Sequence, residues 1–296
     1  MTASSYTIVV GVDFSPASLA ALRQAARLAT RADATLRVVH VVERTTLYQL
    51  RDVLDEAQVN ALEAATIEQA TAHLEDELSA IDLPRRVVFD VVRGHAPEVL
   101  IDRAMALGVK LLCLGSSAGA SDQGDIGAVA ARCTRRCKTD VLLVQAQHHG
   151  PFRTIVAGVD LSPRSEAVVA RAAEQVRLDN AAALELLHVY SGHWHILRYR
   201  ERTQTPPTFE QAIIDNLEAR LAELVATASA AGAVAHVSLL EHQKVARGLA
   251  QKVRELDADL LVVGRRGHSR IVELLVGLTA ERVVRLAPCS VLLVEA

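Results

Sequence analysis

Aromatic side chains are scarce in this chain, with four Phe, four Tyr and one Trp among 296 residues. Any core must therefore be aliphatic. Half of the residues are hydrophobic, mostly Ala, Val and Leu, which suits helices packed on a buried parallel sheet. Cysteine is also sparse: Cys113, Cys133, Cys137 and Cys289 are too few and too scattered for a disulfide framework. Neither sign of charge dominates, since 32 basic residues face 35 acidic ones for a net of −3. No global field draws the protein to nucleic acid or to an anionic membrane. Apolar runs such as 141–144 have strand length, far short of the roughly 20 residues that cross a bilayer. Residues 1–6 lack a basic region leading into a long apolar stretch, so the chain reads as soluble and cytoplasmic.

What the chain does contain is a repeat. A length of 296 residues already favours two domains of roughly 100–150 residues each. Thr7-Ile-Val-Val-Gly-Val-Asp13-Phe-Ser15-Pro16 returns as Thr154-Ile-Val-Ala-Gly-Val-Asp160-Leu-Ser162-Pro163. Leu36-Arg-Val-Val-His40-Val41 matches Leu184-Glu-Leu-Leu-His188-Val189, and Lys110-Leu-Leu-Cys-Leu-Gly115 matches Asp259-Leu-Leu-Val-Val-Gly264. Asp140-Val-Leu-Leu-Val144 then matches Ser290-Val-Leu-Leu-Val294. Landmarks recurring in one order at a nearly constant offset mean a duplication. The seam falls near 145–151, where His148-His149-Gly150-Pro151 breaks any regular element. The expected domains are 1–147 and 151–296.

Within each copy, short β-branched runs alternate with stretches of helical period, the pattern of βαβ units and a parallel sheet. Strands are predicted near 6–13, 35–42, 86–92, 110–115 and 140–145 in the first copy. Helices are predicted to begin at Ser15-Pro16, a capping residue followed by a good first helical residue, and near Asp55, Pro97 and Gly127. In the second copy Ile213, Leu217, Leu221, Leu224 and Ala228 form one apolar helical face. The expected fold is α/β: two tandem, Rossmann-like, doubly wound layers of five parallel strands each.

Ligands of open α/β sheets bind beyond the carboxyl ends of the strands. Those ends are Asp13 and Asp160, Val41 and Val189, and Gly115 and Gly264. Gly264 opens the run Gly264-Arg-Arg-Gly267-His-Ser-Arg-Ile-Val-Glu-Leu-Leu-Val-Gly277-Leu-Thr279. Glycines in such a run permit positive φ and close approach of backbone N–H groups to a phosphate. A helix starting after Gly277 would aim its positive end at the same place. The spacing alone is weak evidence, but it follows one buried strand and leads through a helix to another, 290–294.

On these residues, across essentially the whole chain and twice over, the sequence resembles the universal stress protein family in its tandem form. The family signature is Gly, two residues, Gly, nine residues, Gly, then Ser or Thr. The resemblance implies adenine-nucleotide binding, with ATP, with or without Mg, as the ligand. Carried over position by position, it puts Gly158, Val159 and Asp160 around base and ribose and Val189 at the adenine through its backbone. It puts Val263 and Gly264 beside the sugar, and Arg266, Gly267, Gly277, Leu278, Thr279 and Ala280 along the phosphates. By the same resemblance the two copies would join through their last strands about a pseudo-two-fold axis, making one chain the equivalent of a dimer and leaving a dimer of chains open.

The departures are as informative. Leu278 stands where nucleotide-binding members place a hydroxyl, and Thr279 offers one a residue later, either in its stead or simply as a helix cap. In the first copy Ala118 replaces the second glycine, eight residues separate it from Gly127, and Ala128 follows. That cradle is expected to be degenerate. Gly119 or Gly124 could rescue a turn, but Asp122 and Asp125 would repel a phosphate.

Other features read as structural. Cys133 and Cys137, four apart, lack companion ligands for a metal, and His193-Trp194-His195 has no carboxylate spaced to join it. His40 and His188 end the second strand in both copies, as structural histidines would. The basic stretch 132–138 reads as a solvated helix face. The segment 190–209 combines Tyr190, Trp194, Tyr199 and Phe209 with Arg198, Arg200 and Arg202. Such a mix can grip single-stranded nucleic acid or touch a membrane, but Pro206-Pro207 favour a stiff lid or a subunit contact.

No Lys follows the glycine cradle, no Ser–His–Asp order is evident and no paired carboxylates flank it, so catalysis lacks an agent beyond slow ATP hydrolysis. The functional expectation is an ATP-binding stress-response or signalling module that acts through the second domain on an unknown protein partner. The alternative is a nucleotide-free scaffold or a carrier of an apolar ligand.

Overall fold

The computed structural model describes residues 6–43, 55–116, 126–191, 207–267 and 277–296. The chain divides into two compact units, with the change from one to the other after Gly150. In the first, strands β1 (Thr7–Val12), β2 (Thr35–Glu43), β3 (Arg86–Gly94), β4 (Leu111–Ser116) and β5 (Asp140–Gln145) alternate with helices α1 (Pro16–Arg31), α2 (Glu56–Ser79), α3 (Ala96–Ala106) and α4 (Ala128–Arg136). The second repeats the plan with β6 (Thr154–Gly158), β7 (Ala183–Tyr190), β8 (Ala235–Glu241), β9 (Leu260–Gly264) and β10 (Ser290–Val294). Its helices are α5 (Ser165–Asp179), α6 (Pro207–Ala230), α7 (Val245–Glu255) and α8 (Leu278–Leu286).

The strand order is β3-β2-β1-β4-β5 in the first unit and β8-β7-β6-β9-β10 in the second. Strands pair in parallel at every step within each unit. The order reverses direction between β1 and β4 and between β6 and β9, and those are the switch points where an open α/β sheet offers a crevice. The α/β fold with parallel sheets and two repeated units is the one expected.

Local chemistry explains the elements. Ser15 caps α1 by accepting from the Ser18 amide at 3.2 Å, with Pro16 in the first turn. Asp55 and Gln58 form a reciprocal capping box on α2, with bonds of 2.8 and 3.1 Å. The apolar stripe of α6 faces inward as its period demands: Leu221, Leu224 and Ala228 are buried, and Ile213 and Leu217 are half-buried. The central strands β1, β4, β6 and β9 are almost wholly buried and aliphatic. Helices pack pairwise, α3 on α4, α5 on α6 and α7 on α8.

Candidate functional site

Strand β6 ends at Gly158, whose bareness is a packing requirement: a Cβ there would come within 2.9 Å of Leu249 and 3.0 Å of Val263. Gly11 is constrained in the same way by Leu100 and Leu114. This glycine belongs to the fold in both units. After it the chain turns through Leu161 at φ 58°, as it turns through Phe14 at φ 62° in the first unit. A left-handed backbone at a bulky residue costs about 1–3 kcal/mol, and hydrogen bonds hold it. Asp160 Oδ1 accepts from the Ser162 amide at 3.0 Å and from Ser165 Oγ at 3.1 Å. The Arg220 guanidinium donates to the Leu161 carbonyl.

Asp160 is then aimed at the glycine run. A Cβ added to Gly267 would lie 2.5 Å from Asp160 Oδ2, so a side chain there would have to displace the Asp160 carboxylate from its hydrogen bonds to Ser162 and Ser165. Arg164 Nη1 donates to the Gly267 carbonyl at 3.0 Å. At Gly264 a Cβ would meet the Arg266 carbonyl at 3.2 Å and Val168 at 3.3 Å. The Gly277 amide donates to the Arg265 carbonyl at 3.0 Å, closing the base of the loop just where α8 begins. The structure therefore brings Asp160, Gly264, Arg266, Gly267 and Gly277 together at the carboxyl ends of β6 and β9. The side chains of Val159, Val189, Val263 and Ala280 are buried and serve the core, leaving only backbone for a ligand.

Two expectations need correction. None of Gly264, Gly267 and Gly277 has positive φ, and Gly277 lies at −60°. Close approach, rather than conformational freedom, is what Gly267 needs. Thr279 does not cap α8: the N-cap is Gly277, with no side-chain hydrogen bond, and Thr279 and Leu278 are both exposed, Leu278 to 72%. Residues 268–276 lie outside the described residues, as do Ala118, Gly119, Asp122, Gly124 and Asp125 of the first copy and Trp194, Tyr199 and the arginines of 192–206.

The corresponding end of the first unit is crowded. A Cβ at Gly115 would stand 2.5 Å from the Ser18 amide and 2.6 Å from the Ala17 carbonyl carbon, because the first turn of α1 lies over it. Asp13 is exposed and accepts from the Ser15 amide at 3.0 Å. Partial burial alone would raise its carboxyl, but hydrogen bonds from Ser15 and Ser18 outweigh that and hold it below the ordinary 3.8.

The remaining candidates are structural where they are described. A ring nitrogen of His40 lies 2.8 Å from the Val12 carbonyl, and His188 stands in the same relation to Val159. All four cysteines are buried free thiols, and burial pushes Cys133 and Cys289 up to about 12. The basic side chains of 132–138 are exposed. Sequence reasoning missed Arg164, Arg220 and Glu295. The copies themselves carry a signal for two of them: Arg164 stands where the first copy has Ala17, and Glu295 where it has Gln145.

A duplicated parallel α/β layer with a glycine loop at one switch point is the architecture of a nucleotide-fold protein in tandem form. The model of the Universal stress protein family matches residues 6–145 and 151–295. The chain belongs to the universal stress protein family, as a tandem member. It is 27% identical over 304 residues to universal stress protein Rv2623 of Mycobacterium tuberculosis, covering 98% of this chain and 96% of the relative. It is 34% identical over 152 residues to universal stress protein A homolog 1 of Coxiella burnetii, covering 48% of this chain and 96% of that one. Among solved structures, a universal stress protein from Archaeoglobus fulgidus superposes with a TM-score of 0.64 at 16% identity, covering 98% of this chain and 96% of the other. That likeness is one of fold. Among the described residues, no helix is long and apolar enough to cross a membrane.

Proposed function

We propose that the second unit binds one adenine nucleotide, ATP with or without Mg, and that the protein is a stress-response or signalling module whose occupancy alters a surface read by another protein. The observation that carries this reading is the approach of Gly267 to Asp160, with 2.5 Å between the carboxylate oxygen and the position a Cβ would take. A loop pressed bare against a strand-end carboxylate presents backbone N–H groups, and the amino end of α8 adds its positive dipole. Arg266 supplies a half-buried guanidinium at the same mouth. The residues present fit a nucleotide: Asp160 for ribose hydroxyls, backbone at Val159 and Val189 for the base, Val263 and Gly264 beside the sugar, and Arg266, Gly267 and Gly277 for the phosphates. When bound, the nucleotide would supply a polyphosphate charge that this loop can read. Among the described residues no side chain at the mouth is placed as nucleophile or general base, so the role proposed is binding, with hydrolysis slow at most.

Leu278, 72% exposed beside the loop, favours a second reading, in which an apolar side chain marks a scaffold or a carrier of an apolar ligand. Denaturing freshly purified protein and separating the released small molecules distinguishes them. ATP or AMP near one equivalent per chain supports the first reading. A lipid, or no small molecule together with no heat on ATP titration, overturns it.

A further inference from the structure

Beside the glycine loop, two guanidinium groups share one carboxylate. Arg265 Nε lies 3.0 Å from Glu295 Oε2, and Arg266 pairs with Oε1 of the same residue. The register fixes what the first unit has at these places: Gly264 pairs with Val294 as Gly115 pairs with Val144, so Arg265 corresponds to Ser116 and Glu295 to Gln145. The charged triad therefore belongs to the second unit alone.

The two arginines are not equivalent. Arg265 is 5% exposed; its amide donates to the Val294 carbonyl at 2.9 Å, and its own carbonyl accepts from Gly277 at 3.0 Å. It is fixed in the base of the loop. Arg266 is 31% exposed and lies one residue from Gly267, so its guanidinium can leave the carboxylate without unmaking the loop. By count the triad carries one positive charge more than it neutralises internally, and an arriving phosphate meets Arg266 already engaged.

We infer that Glu295 is a positioning residue that sets the selectivity of the second unit for phosphate number: it holds Arg266 in an internal ion pair that the phosphates of a bound nucleotide must displace, while Arg265 stays with Glu295. This rests on the nucleotide-binding reading above and adds a regulator to it. More negative charge on the ligand competes better for Arg266, so the exchange favours ATP over AMP and is irrelevant to adenosine. Glu295 lowers affinity for phosphorylated ligands, most for the one that displaces it most fully, and so narrows the difference between them. Partly exposed pairs have modest coupling, so removing the competing carboxylate changes affinity by about fivefold.

The test is calorimetry on the full chain with adenosine, AMP, ATP and inorganic tripolyphosphate. Glu295→Gln is expected to tighten ATP about fivefold, AMP less, and to leave adenosine unchanged. Arg266→Gln, which keeps the Arg265–Glu295 pair, is expected to reduce the preference for ATP over adenosine, and it keeps the test decisive if Glu295→Gln unfolds. The double variant should behave as Arg266→Gln alone. Equal weakening of ATP and adenosine by Glu295→Gln, or tightening that persists without Arg266, overturns the inference. Tripolyphosphate separates the two possible failures. If no chain takes ATP but Glu295→Gln binds tripolyphosphate more tightly than the natural protein, the nucleotide reading falls and the exchange stands. Equal or weaker tripolyphosphate binding overturns the exchange.

Discussion

The two units share a fold, a strand order and a strand-end aspartate, yet their mouths differ because a helix begins at different places. In the first unit α1 starts at Pro16; in the second α5 starts at Ser165, two positions later than the equivalent Pro163. The same serine explains the shift. Ser18 Oγ bonds the Ser15 carbonyl at 3.0 Å and accepts from the Asp13 amide at 3.2 Å, completing the first helical turn. Ser165 Oγ instead donates to the Asp160 carboxylate, and residues 163–164 form a separate turn closed by the Ser165 amide on the Ser162 carbonyl at 2.9 Å. In one unit helix backbone covers the glycine after the fourth strand; in the other, Gly264 meets the Arg266 carbonyl and only a side chain of α5, that of Val168. The two strand ends therefore differ with no change of fold, by two residues of helix.

The harshest way to break this comparison is Gly267→Ala. Forcing a Cβ to 2.5 Å from Asp160 should weaken nucleotide binding on the order of 10- to 100-fold, as overpacking does. Titration calorimetry should show one site per chain lost; two equal sites, or indifference to the substitution, would end the asymmetric account. Next comes the aspartate pair. Asp160→Ala should cost roughly tenfold in nucleotide affinity, the scale of a charge-assisted hydrogen bond, whereas Asp13→Ala should leave affinity unchanged. Equal losses in both variants would mean that both carboxylates serve only their turns.

A gentler test sharpens the picture. Leu278→Thr restores a hydroxyl at the amino end of α8 and should tighten ATP by about fivefold, one modest hydrogen bond. An unchanged or weaker affinity would show that the hydroxyl position is not read.

The smallest effect concerns acid. Because the Asp13 carboxyl is held below the ordinary 3.8, it adds stability above that value and loses it as pH falls through its folded pKa. The difference in denaturant midpoint between the natural protein and Asp13→Asn should therefore shrink between about pH 5 and about pH 2. A difference that stays constant across that range would show that the Ser15 and Ser18 hydrogen bonds do not favour the ionised form.

Much of the architecture was legible because it rests on period and repetition. Strand starts at Thr35, Arg86 and Asp140 and helix starts after Ser15, Asp55 and Gly127 follow from local patterns that a chain cannot hide. The candidate site was legible as a spacing but not as a mechanism. Of the two reasons for the glycines, positive φ and close approach, the structure gives only the second, and at Gly267 the neighbour is a side chain more than a hundred residues earlier. Arg164 on the Gly267 carbonyl and Glu295 on Arg266 are contacts between distant segments. No periodicity encodes such pairs, and only comparison of the two copies residue by residue marks them.

Gly127 and Gly277 occupy matching places, each just ahead of a helix, but they are glycines for opposite reasons. Gly127 lies at φ 82° with open space around its Cα, whereas Gly277 lies at −60° with a Cβ position only in ordinary contact with Arg265. Any side chain at 127 would bear a backbone penalty of about 1–3 kcal/mol, so that position resists substitution whether or not anything binds nearby. Position 277 would accept Ser or Asp without strain, and either would supply the missing cap. In a saturation-mutagenesis screen for folding alone, then, the glycine of the covered mouth would look indispensable and that of the open mouth dispensable. Only a screen that selects for a ligand could reverse that ranking.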